Sequence, residues 1–118
     1  MIYLNNIAIS LPIVQSLIVS FIGFLIFELM EQFVLFGTYC ENAIAKRAPF
    51  RDQHLDRLSK LKDQGILITL GPTKCTRYVF GIFQAKTLEE VKKLLESDIY
   101  WKEGIWTSID VYPWTQAF

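Results

Sequence analysis

"PFRDQHLDRLSKLKDQG", residues 49–65, runs directly into "ILITLG", residues 66–71. In the first stretch Leu55, Leu58 and Leu61 recur at helical spacing, Pro49 suits a first helical turn, and Gly65 supplies a stop. The second is a short apolar run ended by Gly71-Pro72, which reads as a strand. A helix therefore hands over to a strand at one glycine, and the neighbouring segments repeat the alternation. Upstream, "FVLFGTY" (33–39) is aromatic and β-branched, as strands are. Downstream come "RYVFGIFQA" (77–85), another strand, and "TLEEVKKLLES" (87–97). That last segment opens with Thr87 and Glu90 as a capping box and sets Leu88, Val91, Leu94 and Leu95 on one side. "GIWTSIDVYPW" (104–114) closes the series with alternating faces. The order is βαββαβ, the ferredoxin-like α+β arrangement: a four-stranded antiparallel sheet with both helices on one face.

The other face of such a sheet is too apolar to be left to water. In the last strand Ile105, Ile109 and Val111 are expected to point one way and Trp106 and Tyr112 the other. A large exposed apolar face marks an interaction site, and a homodimer packed sheet on sheet covers it most simply.

Residues 1–29 belong to a different pattern. No charged residue precedes Glu28, and residues 7–27 form an uncharged run long enough for a membrane helix of about 20 residues. Pro12 falls near its start, while Gln15, Ser16, Ser20 and Gly23 dilute it. Neither a basic leader nor a small-x-small cleavage site supports a secretory signal. Two expectations follow for this apolar N-terminal helix. It spans a membrane as a single pass, with Lys46, Arg47 and Arg51 holding the C-terminal domain in the cytoplasm. Alternatively Met30 is the natural start, residues 1–29 are upstream sequence read through a misplaced start, and the protein is cytoplasmic. Either way the domain proper is 30–118.

Composition removes several classes of function. Lysine plus arginine balances aspartate plus glutamate at twelve each, which gives no basic face for nucleic acid. Cys40 and Cys75 are too few and too far apart for a metal or disulfide framework, and read as small apolar fillers in a reducing compartment. With one histidine besides, no metal site and no cofactor are expected, and no glycine-rich phosphate loop occurs.

Five segments, "GTYCENA", "KRAPFRDQHLDRL", "GILITLGP", "VFGIFQA" and "ESDIYWKEGIWTSIDVYPWTQAF", in this order and spacing resemble the YciI-like (YCII-related domain) family of the dimeric α+β barrel superfamily. The resemblance covers nearly all of residues 33–118; residues 1–29 are its main departure, because such proteins usually begin near Met30. It implies that His54 and Asp98 form an active-site pair, that Arg47 and Arg51 are the arginines preceding that histidine, and that Gly71 and Pro72 are the family's Gly-Pro. It further implies a small dimeric protein. Some relatives are dehydrochlorinases acting on chlorinated aromatics, and the wider superfamily includes lactone isomerases and monooxygenases.

The residue types are compatible with such chemistry. Arg47, Arg51 and His54 follow i, i+4, i+7 spacing, although Pro49 places Arg47 just before the helix rather than inside it. Two guanidinium groups beside an imidazole favour its neutral form unless a carboxylate offsets them, and Asp98 is suited to be that carboxylate, fixing the tautomer. A neutral histidine serves as general acid or base, the arginines suit a substrate carboxylate or enolate, and Tyr39, Tyr100 and Trp101 would wall a flat ligand. Plainer roles stand beside these. His54 can be a surface or hydrogen-bonded helix residue, Asp98 the cap of the "DIYW" turn, the arginines solvated charges, and the aromatic residues core. Three functions follow: a cofactor-independent enzyme of lyase or isomerase type using His54 and Asp98 on a small organic acid, cyclic or chlorinated ones included; a non-catalytic small-molecule-binding or accessory dimer; or a structural dimer without ligand.

Overall fold

The computed structural model of the chain describes residues 2–4, 7–9 and 11–118. It divides into two compact units, Met1–Met30 and Glu31–Phe118. In the first, β1 (Ile2–Leu4) and β2 (Ile7–Ile9) pair antiparallel, and α1 (Leu11–Glu28) follows. The described apolar side chains of α1, from Leu11 to Leu25, are almost all exposed.

These elements do not show the membrane span expected over residues 7–27. Part of that run is spent in β2, and Ser10 lies outside the described residues. The remaining helix of 18 residues is about 27 Å long at ~1.5 Å per residue, against a hydrocarbon layer of ~30 Å. Among the described residues no helix is long and apolar enough to cross a membrane.

The second unit contains β3 (Glu31–Tyr39), α2 (Ala43–Arg47), a 3₁₀ turn (Ala48–Phe50), α3 (Arg51–Asp63), β4 (Leu67–Pro72), β5 (Tyr78–Ala85), α4 (Leu88–Glu96), α5 (Ile99–Lys102) and β6 (Trp106–Trp114). The sheet order is β4-β5-β3-β6, with every neighbouring pair antiparallel. This is the ferredoxin-like α+β fold. One sheet face, carrying Phe33, Leu35, Val79 and Phe83, closes over Leu58 and Leu61 of α3 and Val91 and Leu95 of α4 to make the core. Burial of each large apolar side chain there contributes about 1.5–3 kcal/mol.

Local signals act largely as their chemistry dictates. Gly65, at φ +76°, ends α3: its N–H donates to the Lys62 carbonyl at 3.0 Å, and the Ile66 N–H donates to Leu61 at 3.0 Å. Those two bonds are a Schellman closure, which needs a residue able to adopt the left-handed conformation. Thr87 caps α4, accepting from the Glu90 N–H, but the Glu90 carboxylate accepts from the Lys86 N–H rather than closing on Thr87.

Two sequence expectations are corrected. Trp106 does not share the open face with Tyr112; it is buried on the helix side. The β3–β6 register shifts between Thr38 and Tyr39, so that Thr38 faces Ser108 while Tyr39 faces Trp106. The extra residue, Thr107, is a bulge that reverses the alternation below it. Cys75 is no core filler either, being exposed in the β4–β5 turn.

The open face presents Phe36, Tyr78, Phe80, Tyr112 and Trp114, all at least one-third exposed. Phe36 and Phe80 lie side by side, with ring centroids 5.2 Å apart.

Candidate site: a buried imidazole–carboxylate pair

His54 lies in the first half of α3, on the face turned into the protein, and only 3% of it is exposed. Asp98 sits between α4 and α5, only 1% exposed, and caps α5 by accepting from the Tyr100 N–H at 2.9 Å. The same oxygen, Oδ1, lies 2.7 Å from His54 Nδ1. Forty-four residues separate the two along the chain. A carboxylate at that distance selects the tautomer with the proton on Nδ1. Nε2, the other ring nitrogen, has no hydrogen-bond partner among the described residues.

The imidazole is held by rings as well. Tyr100 stacks on it at 3.6 Å with an interplanar angle of 9°, and Trp106 meets it edge-on at 5.3 Å. The chain delivers these residues through a second Schellman closure. Gly104, at φ +69°, ends α5, with Gly104 N–H donating to Trp101 at 3.1 Å and Ile105 N–H to Tyr100 at 2.8 Å. Cap, single helical turn and glycine stop thus bring Asp98, Tyr100 and Trp106 around one histidine. The Trp106 indole N–H is buried without a hydrogen-bond partner.

Arg47 ends α2 and Arg51 begins α3, so the 3₁₀ turn containing Pro49 separates them. Their charge reaches the Tyr100 phenol. Burial pushes that hydroxyl above its ordinary range, Arg47 and Arg51 pull it back, and Tyr39 and Asp98 push it further up. Tyr39 ends β3 opposite Trp106, largely buried. His54, Asp98 and Tyr100 therefore stand together, with Tyr39, Arg47 and Arg51 within electrostatic reach of the Tyr100 phenol. Gly71 and Pro72 do not join them: they lie on the edge strand β4, paired with Phe80 and Val79 of β5. Trp101 packs half-buried against the core.

A groove of about 630 Å³ opens beside this cluster. Tyr39, Cys40 and Asn42 line one side, and Cys75 and Arg77 of the β4–β5 turn with Tyr78 of β5 line the other. His54 and Asp98 are not among its lining residues; Tyr39 is the element that the groove and the cluster share. On its rim the Cys75 thiol is drawn below its ordinary range, first by the Thr73 hydroxyl at 3.2 Å and then by backbone at Arg77.

Two members of the cluster were not anticipated. Arg57 donates through Nη1 to Asp98 Oδ2 at 3.3 Å and through Nη2 to the Leu94 carbonyl at 2.8 Å. Its position three residues after His54 on one helix was the available signal, because i and i+3 share a face. Trp106 was hidden by the bulge, which no periodicity reveals.

A four-stranded ferredoxin-like sheet with an imidazole–carboxylate pair buried under its helices defines a small α+β protein of the ferredoxin-like fold. The chain belongs to the YCII-related domain family, whose model matches residues 31–115. An uncharacterized protein of Haemophilus influenzae is 28% identical over 96 residues, covering 73% of this chain and 98% of that protein. Among solved structures, the 5-chloro-2-hydroxyhydroquinone dehydrochlorinase TftG from Burkholderia phenoliruptrix AC1100, in complex with 2,5-dihydroxybenzoquinone, superimposes with a TM-score of 0.64. It is 23% identical, and the match covers 73% of this chain and 95% of that one. At that identity the likeness concerns the fold.

Proposed function

We propose that the protein is a cofactor-independent enzyme in which His54, oriented by Asp98, transfers protons on a small organic acid, including cyclic or chlorinated ones. One observation carries the reading. Asp98 occupies Nδ1 at 2.7 Å while Nε2 is without a partner among the described residues, which is the arrangement a general base requires. Proton transfer from a positioned imidazole contributes about 10²–10⁴-fold to rate. Arg47 and Arg51 supply positive charge beside Tyr100 for a carboxylate, phenolate or enolate oxygen. Tyr39 and Tyr100 supply flat apolar surface, and the adjoining groove is of the size that small ligands occupy. Gly71 and Pro72 are proposed to act from the β4 edge, and the exposed aromatic face to pair two copies of the chain.

The likeness to a dehydrochlorinase supports a reaction in which a hydroxylated ring loses HCl, with the proton passing to Nε2 and chloride leaving toward the arginines. The test is chloride release from 5-chloro-2-hydroxyhydroquinone together with binding of 2,5-dihydroxybenzoquinone. The expected result is turnover by the native protein, loss of at least 10²-fold in His54→Asn, and retained ligand binding. Turnover unchanged by His54→Asn overturns the assignment.

The burial of His54, 3% exposed and stacked on Tyr100, favours a second reading, a non-catalytic module that binds the same class of ligand. Ligand binding with no turnover of any hydroxylated chloroaromatic would select it.

A further inference from the structure

We propose that Arg57 is the positioning residue of the pair: its guanidinium keeps Asp98 an ionised acceptor, so that His54 is held as the Nδ1–H tautomer without needing a second proton. This rests on the acid–base reading of His54, but it concerns the charge of the imidazole and is read without a substrate. Asp98 is 1% exposed, and an ionised carboxylate at such a place needs a compensating cation. Among the described residues two groups bonded to it can carry positive charge, His54 at Oδ1 and Arg57 at Oδ2. The Tyr100 N–H is a neutral donor. Were His54 the sole cation, the buried carboxylate would need the imidazolium as its counter-charge, and Nε2 would be a donor with no lone pair for a substrate proton.

Arg57 removes that demand. Its second nitrogen is tied to the Leu94 carbonyl in the last turn of α4, where a cation also meets the negative end of the helix. The side chain remains 29% exposed, so its charge stays partly solvated while facing a buried carboxylate. Tyr100 of α5 and the uncharged Trp106 of β6 meet the imidazole itself, and Tyr39 of β3, Arg47 of α2 and Arg51 of α3 lie within electrostatic reach of the stacked Tyr100 phenol. Arg47 and Arg51 act at the Tyr100 phenol, and neither bonds Asp98. Of the four arginines, Arg57 alone pairs with the carboxylate among the described residues.

His54 is the only histidine in the chain, so long-range ¹H–¹⁵N correlation spectra of the full protein report its charge and tautomer without overlap. Titrations of the native protein, Arg57→Gln, Arg57→Met and Arg57→Lys decide the matter, and either folded neutral variant suffices. Loss of the guanidinium is expected to raise the proton affinity of His54 about tenfold, moving the titration midpoint up by about one pH unit. Arg57→Lys is expected to stay within about threefold of native, because it keeps the charge. In an Asp98→Asn background the same Arg57 substitution is expected to shift His54 less than about threefold, since its effect runs through the carboxylate. A shift below about twofold in a folded Gln or Met variant, or a lysine variant that behaves like glutamine, overturns the proposal. So does an undiminished shift in the Asp98→Asn background. Failure of the acid–base reading has a different signature, turnover that survives His54→Asn while the Arg57 shift persists.

Discussion

Replacing Asp98 by alanine removes three links at once, and the cost follows from where each partner is left. The Tyr100 N–H loses its cap at 2.9 Å, and loss of an N-cap costs about 1 kcal/mol. The His54 Nδ1 donor, bonded at 2.7 Å in a side chain that is 4% exposed, is stranded away from water at about 1–3 kcal/mol. Arg57 can turn its partly exposed guanidinium outward, which keeps its contribution to about 1 kcal/mol or less. Against these stands the relief of no longer burying a carboxylate, which offsets part of the sum. The net is about 3 kcal/mol out of a total stability of about 5–15 kcal/mol. Urea unfolding followed by circular dichroism reads this directly. With a slope of about 1–1.5 kcal/mol/M, the midpoint falls by about 2–3 M. Protein concentration must be held fixed, because self-association would add its own stabilisation. Asp98→Asn keeps an acceptor for Tyr100 N–H and for Nδ1–H, and is expected to lose about half as much. A loss below about 1 kcal/mol in Asp98→Ala would show that the ring stack alone holds His54, and that the carboxylate is incidental to the fold.

Three further outcomes can be measured. Burial raises the Tyr100 phenol above its ordinary range, so as pH climbs past about 10 the unfolded chain gives up a proton that the folded chain retains, and stability falls; urea midpoints between pH 8 and 11 should show a shallower decline in Tyr100→Phe, and equal slopes refute the assignment. Phe80, packed on Phe36 at 5.2 Å on the open sheet face, is expected to sit inside a homodimer contact; sedimentation of Phe80→Glu should give a monomer where the native chain gives a dimer, and a native monomer sinks the idea. The Thr73 hydroxyl draws the exposed Cys75 thiol down, so Thr73→Val should slow its reaction with a disulfide reagent near pH 7 several-fold; an unchanged rate shows that the bond does not act on the thiolate.

The fold was legible because its punctuation is chemically explicit. Gly65 closes α3 in the left-handed conformation that the sequence reading of a helix stop requires, Thr87 caps α4, and the helices bury Leu58 and Leu61, and Val91 and Leu95, against the sheet, although Leu55 of the expected stripe stays exposed. Three features were not legible, each for a physical reason. The bulge at Thr107 changes a face by inserting one residue, and alternation carries no mark of where it fails. The contact of Arg57 with Asp98 depends on how α3 and α4 pack, although its helical face was open to inspection. The uncharged run over residues 7–27 has the composition of a span, and composition alone does not reveal that Ile7–Ile9 pair with Ile2–Leu4 as strands.

Asp98 also dissolves an apparent choice between structural and chemical roles. Capping α5 and orienting His54 looked like rival explanations of one aspartate, but the geometry uses the same oxygen for both: Oδ1 accepts from the Tyr100 N–H and from Nδ1 of His54. The cap fixes where α5 begins, hence where Tyr100 stacks, hence the plane in which the imidazole must lie. Gly104 then turns the chain so that Trp106 meets the ring edge-on five ångströms away. Three short-range devices, namely an N-cap, one helical turn and a left-handed glycine, therefore orient a side chain brought in from a helix 44 residues earlier. An imidazole held this way loses little rotational freedom when a ligand arrives, because its plane, its tautomer and its one unpartnered nitrogen are already set by the fold.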